Sequence, residues 1–119
     1  MIDLILIFIS IFIAVCGQIL MKKGMLQVGF IQLSHFGEKF WAMMLNPWVI
    51  LGLVFYALSA VLWLIILSRK DLSFVYPLVS LGYVVVLFFS AVIFKEQVSL
   101  LRWVGTLVIM LGIFLISRS

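Results

Sequence analysis

Acidic side chains are nearly missing from this chain: 119 residues hold four, Asp3, Glu38, Asp71 and Glu96, all at the ends of apolar runs or between them. No run carries a carboxylate in its middle, which excludes the membrane-embedded titrating acid on which proton-coupled exporters of cations depend. Charge of either sign is thin as well, at 10% of residues against roughly a quarter in soluble domains, so a water-soluble fold is excluded. Cysteine occurs once, as Cys16, which rules out an internal disulfide and reads as a small packing residue. Histidine also occurs once. His35 has no Cys, Asp or second His at ligand spacing, and no metal site is expected. No nucleophile, base and orienting group fall at workable positions, so the chain is not read as an enzyme. Neither a cofactor nor a nucleic-acid partner is expected.

What is present in quantity is hydrocarbon. Hydrophobic residues make up 67% of the chain, and its mean hydropathy is +1.42. Apolar runs cover 2–21, 48–67, 72–94 and 100–116. Each approaches the roughly 20 residues that carry a helix across a bilayer. Unpaired backbone groups are too costly in lipid for anything but helices or a closed barrel, and the alternation of barrel strands is absent. The expected fold is an all-α membrane protein: one four-helix domain over residues 1–119, with spans at about 2–23, 48–68, 72–94 and 99–117. The first run is not expected to be a cleaved signal, because Asp3 precedes it and Lys22 and Lys23 follow it.

The one long connection reads "GMLQVGFIQLSHFGEKFWAMMLNP". Phe36, Phe40, Met43 and Met44 recur in it at helical spacing beside Glu38 and Lys39, which predicts a short amphipathic helix at the interface. Asn46 and Pro47 restart the helix, with Trp48 at headgroup depth. The remaining connections, "SRKD" and "KEQVS", are short enough to make antiparallel neighbours of the helices they join.

Orientation is weakly marked. Lys22, Lys23, Lys39, Lys95 and Arg102 fall on the side of the first and third loops, against Arg69, Lys70 and Arg118 on the side of the termini. The bias leans towards termini outside. It leaves open a fixed topology and an antiparallel homodimer of chains inserted both ways up.

Three spans carry a polar stripe. Span one groups Ser10, Ala14, Gly17, Gln18 and Met21, with Lys22 one turn beyond Gln18. Span two carries Gly52, Tyr56, Ser59 and Trp63, and span three Tyr76, Ser80, Tyr83 and Ser90. Such residues either tie helices together or line a groove. Three stripes in so small a bundle favour the groove, with Ser10, Ala14, Gly17, Gln18, Lys22, Tyr56, Ser59, Trp63, Tyr76, Ser80 and Tyr83 as its candidate residues. Span four differs. Gly105, Ile109 and Gly112 form a small-residue seam suited to contact between subunits.

The stretches "GQILMKKG", "VLWLIILSRKDLSFVYPLVSLGYV" and "FKEQVSLLRWVGTLVIMLGIFLI" resemble the drug/metabolite transporter superfamily over nearly the whole chain. The small multidrug resistance family shares the Gly17-to-Lys22 pattern and a Trp at position 63, but has a Glu three residues before that Gly, where this chain has Ala14. A closer resemblance is to the EamA-type transporters and the small subunits that flip undecaprenyl-phosphate-linked aminoarabinose. It is carried by Gly17-Gln18, Trp63-Leu64, Tyr76-Pro77-x-x-Ser80-Leu81 and Glu96-x-x-Ser99.

That resemblance implies a flippase moving a polyprenyl-phosphate-linked sugar between leaflets of the bacterial inner membrane. Net charge +4 agrees with an anionic head, and Lys22, Lys23, Arg69 and Lys70 are the candidate phosphate contacts, unless they only anchor the spans to membrane lipid. One bundle is too narrow to enclose the head. A homodimer, or a heterodimer with a related small subunit, is expected. Two alternatives stand beside this reading: an exporter of small metabolites or drugs without the buried acid, and a non-transporting membrane subunit of a larger assembly.

Overall fold

Helices begin and end where local chemistry dictates in the computed structural model, which describes residues 2–119. The first, α1 (Ile2–Val28), runs 27 residues, about 40 Å at 1.5 Å per residue. It outlasts the expected end at residue 23 because Lys22 and Lys23 are good helix formers. Gly29 stops it, at φ +93°, where its N–H closes a 2.9 Å bond to the Met25 carbonyl. A 3-10 turn at Leu33–His35 leads into the short amphipathic helix α2 (Phe36–Met44). Lys39 reaches back from α2, its Nζ donating to the Val28 carbonyl at the end of α1 at 3.3 Å.

Asn46 then caps α3 (Pro47–Leu67): its Oδ1 accepts from the N–H groups of Trp48 at 3.0 Å and Val49 at 3.3 Å. Pro47 at the first helical position loses nothing by lacking a donor. The third span, expected as one helix, is two: α4 (Leu72–Leu78) and α5 (Ser80–Ile93), joined at Val79. Pro77 has no N–H for the carbonyl four residues before it. The chain tightens there instead, with Val79 N–H on the Tyr76 carbonyl at 3.1 Å and Gly82 N–H on that of Val79 at 2.8 Å. The last span is α6 (Leu100–Ser117), started by Ser99, whose Oγ accepts from Arg102 N–H at 3.2 Å.

The four spans are apolar and at least 18 residues long, as membrane crossing requires. Lipid reverses the usual segregation: Phe8, Phe12, Leu64, Val92, Leu107 and Phe114 are exposed, while Ser10, Ser59 and Thr106 are buried. Each buried hydroxyl has a partner. Ser10 Oγ donates to the Ser59 carbonyl at 3.1 Å, Ser59 Oγ to that of Tyr56 at 2.7 Å, and Thr106 Oγ1 to that of Arg102 at 2.8 Å. The apolar core, Ile7, Ile11, Val15, Ile66, Val75, Leu78 and Ile113, ties all four spans together.

The closest helix pair is α1 and α3, antiparallel, and its contact is backbone on backbone. A Cβ added to Gly17 would stand 2.8 Å from the Gly52 carbonyl oxygen, and one added to Gly52 would stand 2.6 Å from that of Gly17. Gly24 is as crowded, with Asn46 Oδ1 at 2.7 Å and Val49 N at 2.8 Å from such an atom. Small residues here let dispersion act at short range, which is what holds helices together when lipid removes the hydrophobic drive between them.

Candidate functional site

Beside that crossing the bundle is open. α1, α3 and the α4–α5 pair enclose a lateral groove in two adjoining chambers, about 250 and 400 Å³. Ser10, Ala14, Tyr56, Ser59, Trp63 and Tyr76 line the first. Ala14, Gln18, Tyr56, Tyr76, Ser80 and Tyr83 line the second, so Ala14, Tyr56 and Tyr76 wall both. Nine of the eleven expected groove residues therefore meet in one place. The helix break explains part of this: Tyr76 and Ser80 flank the Val79 joint on separate helices, and Val79 itself lines both chambers.

Chemically the groove is neutral. No Asp, Glu, Lys or Arg lines either chamber. Ser10 spends its hydroxyl proton on the α1–α3 contact, and Ser59 spends its own on the Tyr56 carbonyl one turn back in α3. The Gln18 amide and the phenols of Tyr76 and Tyr83 belong to exposed residues. Trp63 and Tyr76 meet edge to face, centroids 6.3 Å apart, making one aromatic wall across the first chamber. Such a surface offers hydrogen bonds and ring faces to a polar, uncharged group, and nothing that takes up a proton near neutral pH.

Two expected groove residues are placed elsewhere. Gly17 faces Gly52 inside the helix crossing, about 100° around α1 from Gln18, the angle between any successive helical residues. Lys22 lies past the groove's end, in an ion pair with Glu96 at 3.7 Å. The other expected phosphate contacts are divided between the two ends of the bundle. Lys23 Nζ sits 3.8 Å from the Trp48 ring centroid, a cation–π contact near the start of α3. Arg69 and Lys70 flank Asp3 at the opposite end: Arg69 Nε pairs with Asp3 Oδ1, and Lys70 Nζ lies 3.9 Å from Oδ2. A larger cavity there, about 490 Å³, is walled mostly by apolar residues such as Ile7, Phe74 and Ile113, with Asp3, Lys70 and Ser117 also in its lining, and carries none of the polar stripes.

Along α6 the expected seam splits. Gly105 and Gly112 have open space where a Cβ would stand, whereas Ile109 packs on the core of its own bundle. Among the described residues no cluster of three or more His, Cys, Asp or Glu is placed to hold a metal.

Four spans around an uncharged lateral groove define a small multi-pass membrane protein of transporter type. The chain belongs to the EamA-like transporter family, whose profile matches residues 28–118. It is 30% identical to a protein of Aeromonas salmonicida named "Probable 4-amino-4-deoxy-L-arabinose-phosphoundecaprenol flippase subunit ArnE", over 97% of this chain and 96% of that one. It is also 36% identical to the subunit named ArnF of Proteus mirabilis, over 92% of this chain and 87% of that one. The corresponding figures for the ArnF subunit of Serratia proteamaculans are 33%, 92% and 88%. No solved structure matches the chain. Family and spans together place the protein in the bacterial inner membrane.

Proposed function

We propose that this protein is one subunit of a flippase for a polyprenyl-phosphate-linked sugar. The sugar head crosses in the groove while the polyprenyl tail stays in lipid. The observation that carries this reading is the groove itself: set beside the middle of α1, lined by Gln18, three tyrosines and Trp63, and free of charge. The hydroxyls of a sugar find amide, hydroxyl and ring groups here, and the amine of an aminosugar, cationic at neutral pH, finds the faces of Trp63 and the tyrosines, while the tail stays outside. Relatives named as flippase subunits for an aminoarabinose carried on phosphoundecaprenol support the substrate class. Proton-coupled exchange of a small cation is disfavoured because no carboxylate lines either chamber.

Gln18 separates sugar recognition from capture of the carrier. In reconstituted protein, Gln18→Leu is expected to slow flipping of the sugar-bearing lipid about tenfold, the scale of one or two lost hydrogen bonds. Binding of the bare polyprenyl phosphate should stay within about twofold of wild type. Equal rates in the two proteins would remove Gln18 from the site.

Enclosing a sugar-phosphate head takes a second bundle, a copy of this chain or a related small subunit, and α6 is where it docks. Gly105 and Gly112 leave room there for another backbone to approach. Gly105→Leu and Gly112→Leu should therefore leave each bundle folded while removing most of the dimer trapped by crosslinking in bilayers. An unchanged crosslink would place the contact on another face.

A further inference from the structure

Ser10, Ala14, Gln18 and Lys22 follow one another at four-residue steps along a single face of α1. The first three line the groove. Lys22 stands where the groove ends and borders a further cavity of about 400 Å³, walled by Met25, Leu26, Gly29, Phe30 and Ile31. It is the first cation on this track, and it is already engaged. Lys22 Nζ lies 3.7 Å from Oε1 of Glu96, in the connection between α5 and α6. The two side chains are 48% and 41% exposed, so a competing anion reaches either of them.

The turn that carries Glu96 is held in an unfavourable conformation. Lys95 sits at φ 53°, in the left-handed region that residues with a side chain rarely occupy. Glu96 N–H is turned back onto the Ser90 carbonyl at 3.2 Å. Three residues on, Ser99 caps α6. The segment between α5 and α6 is thus tied to α1 through one carboxylate, at the end of the groove.

We propose that the Glu96 carboxylate is a resident stand-in for a phosphate, and that the phosphate of a polyprenyl-phosphate lipid takes its place on Lys22. The inference rests on the flippase reading. Carboxylate and phosphate oxygens both accept charge-assisted hydrogen bonds from an ammonium, so the two anions compete for Lys22. A lipid-linked head has additional contacts, its sugar against Gln18 and its tail in the bilayer, and these favour the exchange. Displacement frees the α5–α6 connection from α1 and lets the strained turn at Lys95 relax. Arrival of the head at one end of the groove then changes how the chain enters α6, the helix that docks the second bundle.

A double-mutant cycle tests this, with undecaprenyl phosphate as the probe and undecaprenol as its uncharged control, on full-length protein in nanodiscs. Glu96→Gln should tighten undecaprenyl phosphate binding roughly threefold to tenfold by removing the competitor. Lys22→Gln should weaken it roughly tenfold to hundredfold. In the Lys22→Gln background, Glu96→Gln should change nothing beyond about twofold, and undecaprenol binding should be indifferent to all three variants. Spin labels on Met25→Cys and Gln97→Cys, with Cys16 replaced by Ala, should move apart when undecaprenyl phosphate is added, and should start apart in the Glu96→Gln protein. The same tightening with and without Lys22 would overturn the exchange, as would labels that stay still. Binding that all variants share equally sinks the exchange and leaves the flippase reading standing. Absence of binding of both undecaprenyl phosphate and its sugar-bearing form by wild-type protein sinks both.

Discussion

Gly52→Val is expected to remove nearly all folded protein from the membrane, a loss on the order of 4 kcal/mol or more. The reason is geometric. The first atom of any side chain at position 52 meets the Gly17 carbonyl oxygen at 2.6 Å and the Met21 backbone nitrogen at 2.8 Å, and neither belongs to a flexible side chain that can swing aside. α1 and α3 would have to separate along their whole crossing. That would also draw Ser10 Oγ away from the Ser59 carbonyl, leaving a hydroxyl unpaired in lipid. Gly37→Val provides the control, since a Cβ there touches nothing within 4 Å and should cost less than about 0.5 kcal/mol. Unfolding in bicelles, monitored for wild type and both variants, checks the pair. Wild-type stability in the Gly52→Val protein would contradict a backbone contact between α1 and α3.

The same crossing shows where reading the sequence stops. Composition and run length are enough for four helices in a membrane, because lipid allows so few alternatives. The stripes on spans one to three are legible too, since the helical period alone puts Gln18 above Ala14 and Tyr83 above Ser80 and Tyr76. What a period cannot supply is the rotation of one helix against another. Gly17 and Gln18 are adjacent in sequence, yet one faces α3 and the other the groove, and only the packed partner decides which.

Breaks are harder still. Pro77 was a visible irregularity inside an apolar run, but neighbouring helices and tight i→i+3 bonds let a membrane helix carry a proline in several ways, from a bend to the joint seen at Val79. The end of α1 depends on Gly29 taking a positive φ rather than on the lysines before it. The Lys22–Glu96 pair joins residues 74 positions apart, and no local pattern in either segment announces it.

The largest loss of activity without loss of fold is expected from Ala14→Phe. Ala14 walls both chambers of the groove, from the middle of α1, opposite Tyr56 and Tyr76. Ala14 is half-buried and lines the groove, whereas Gly17 and Val15 are buried against the packed interior, so an added ring at position 14 is directed at the chambers. Ala14 stands on the wall shared by chambers of about 250 and 400 Å³, and a phenyl ring there takes up the space between them and blocks passage from one to the other. Flipping of the sugar-bearing lipid should fall more than about a hundredfold, equivalent to raising the barrier by roughly 3 kcal/mol. Thermal stability should stay near wild type or rise slightly as the ring fills the void. Ala14→Ser, which adds one hydroxyl and little volume, should keep most of the activity. Capture of undecaprenyl phosphate at Lys22 should survive the ring, because that contact lies two turns further along α1, outside both chambers. A protein that binds the carrier, stays folded and no longer moves its sugar is the outcome that locates the pathway in this groove. Unimpaired flipping by Ala14→Phe would send the head along another face of the bundle, with the apolar cavity between α1, α4 and α6 the first place to look.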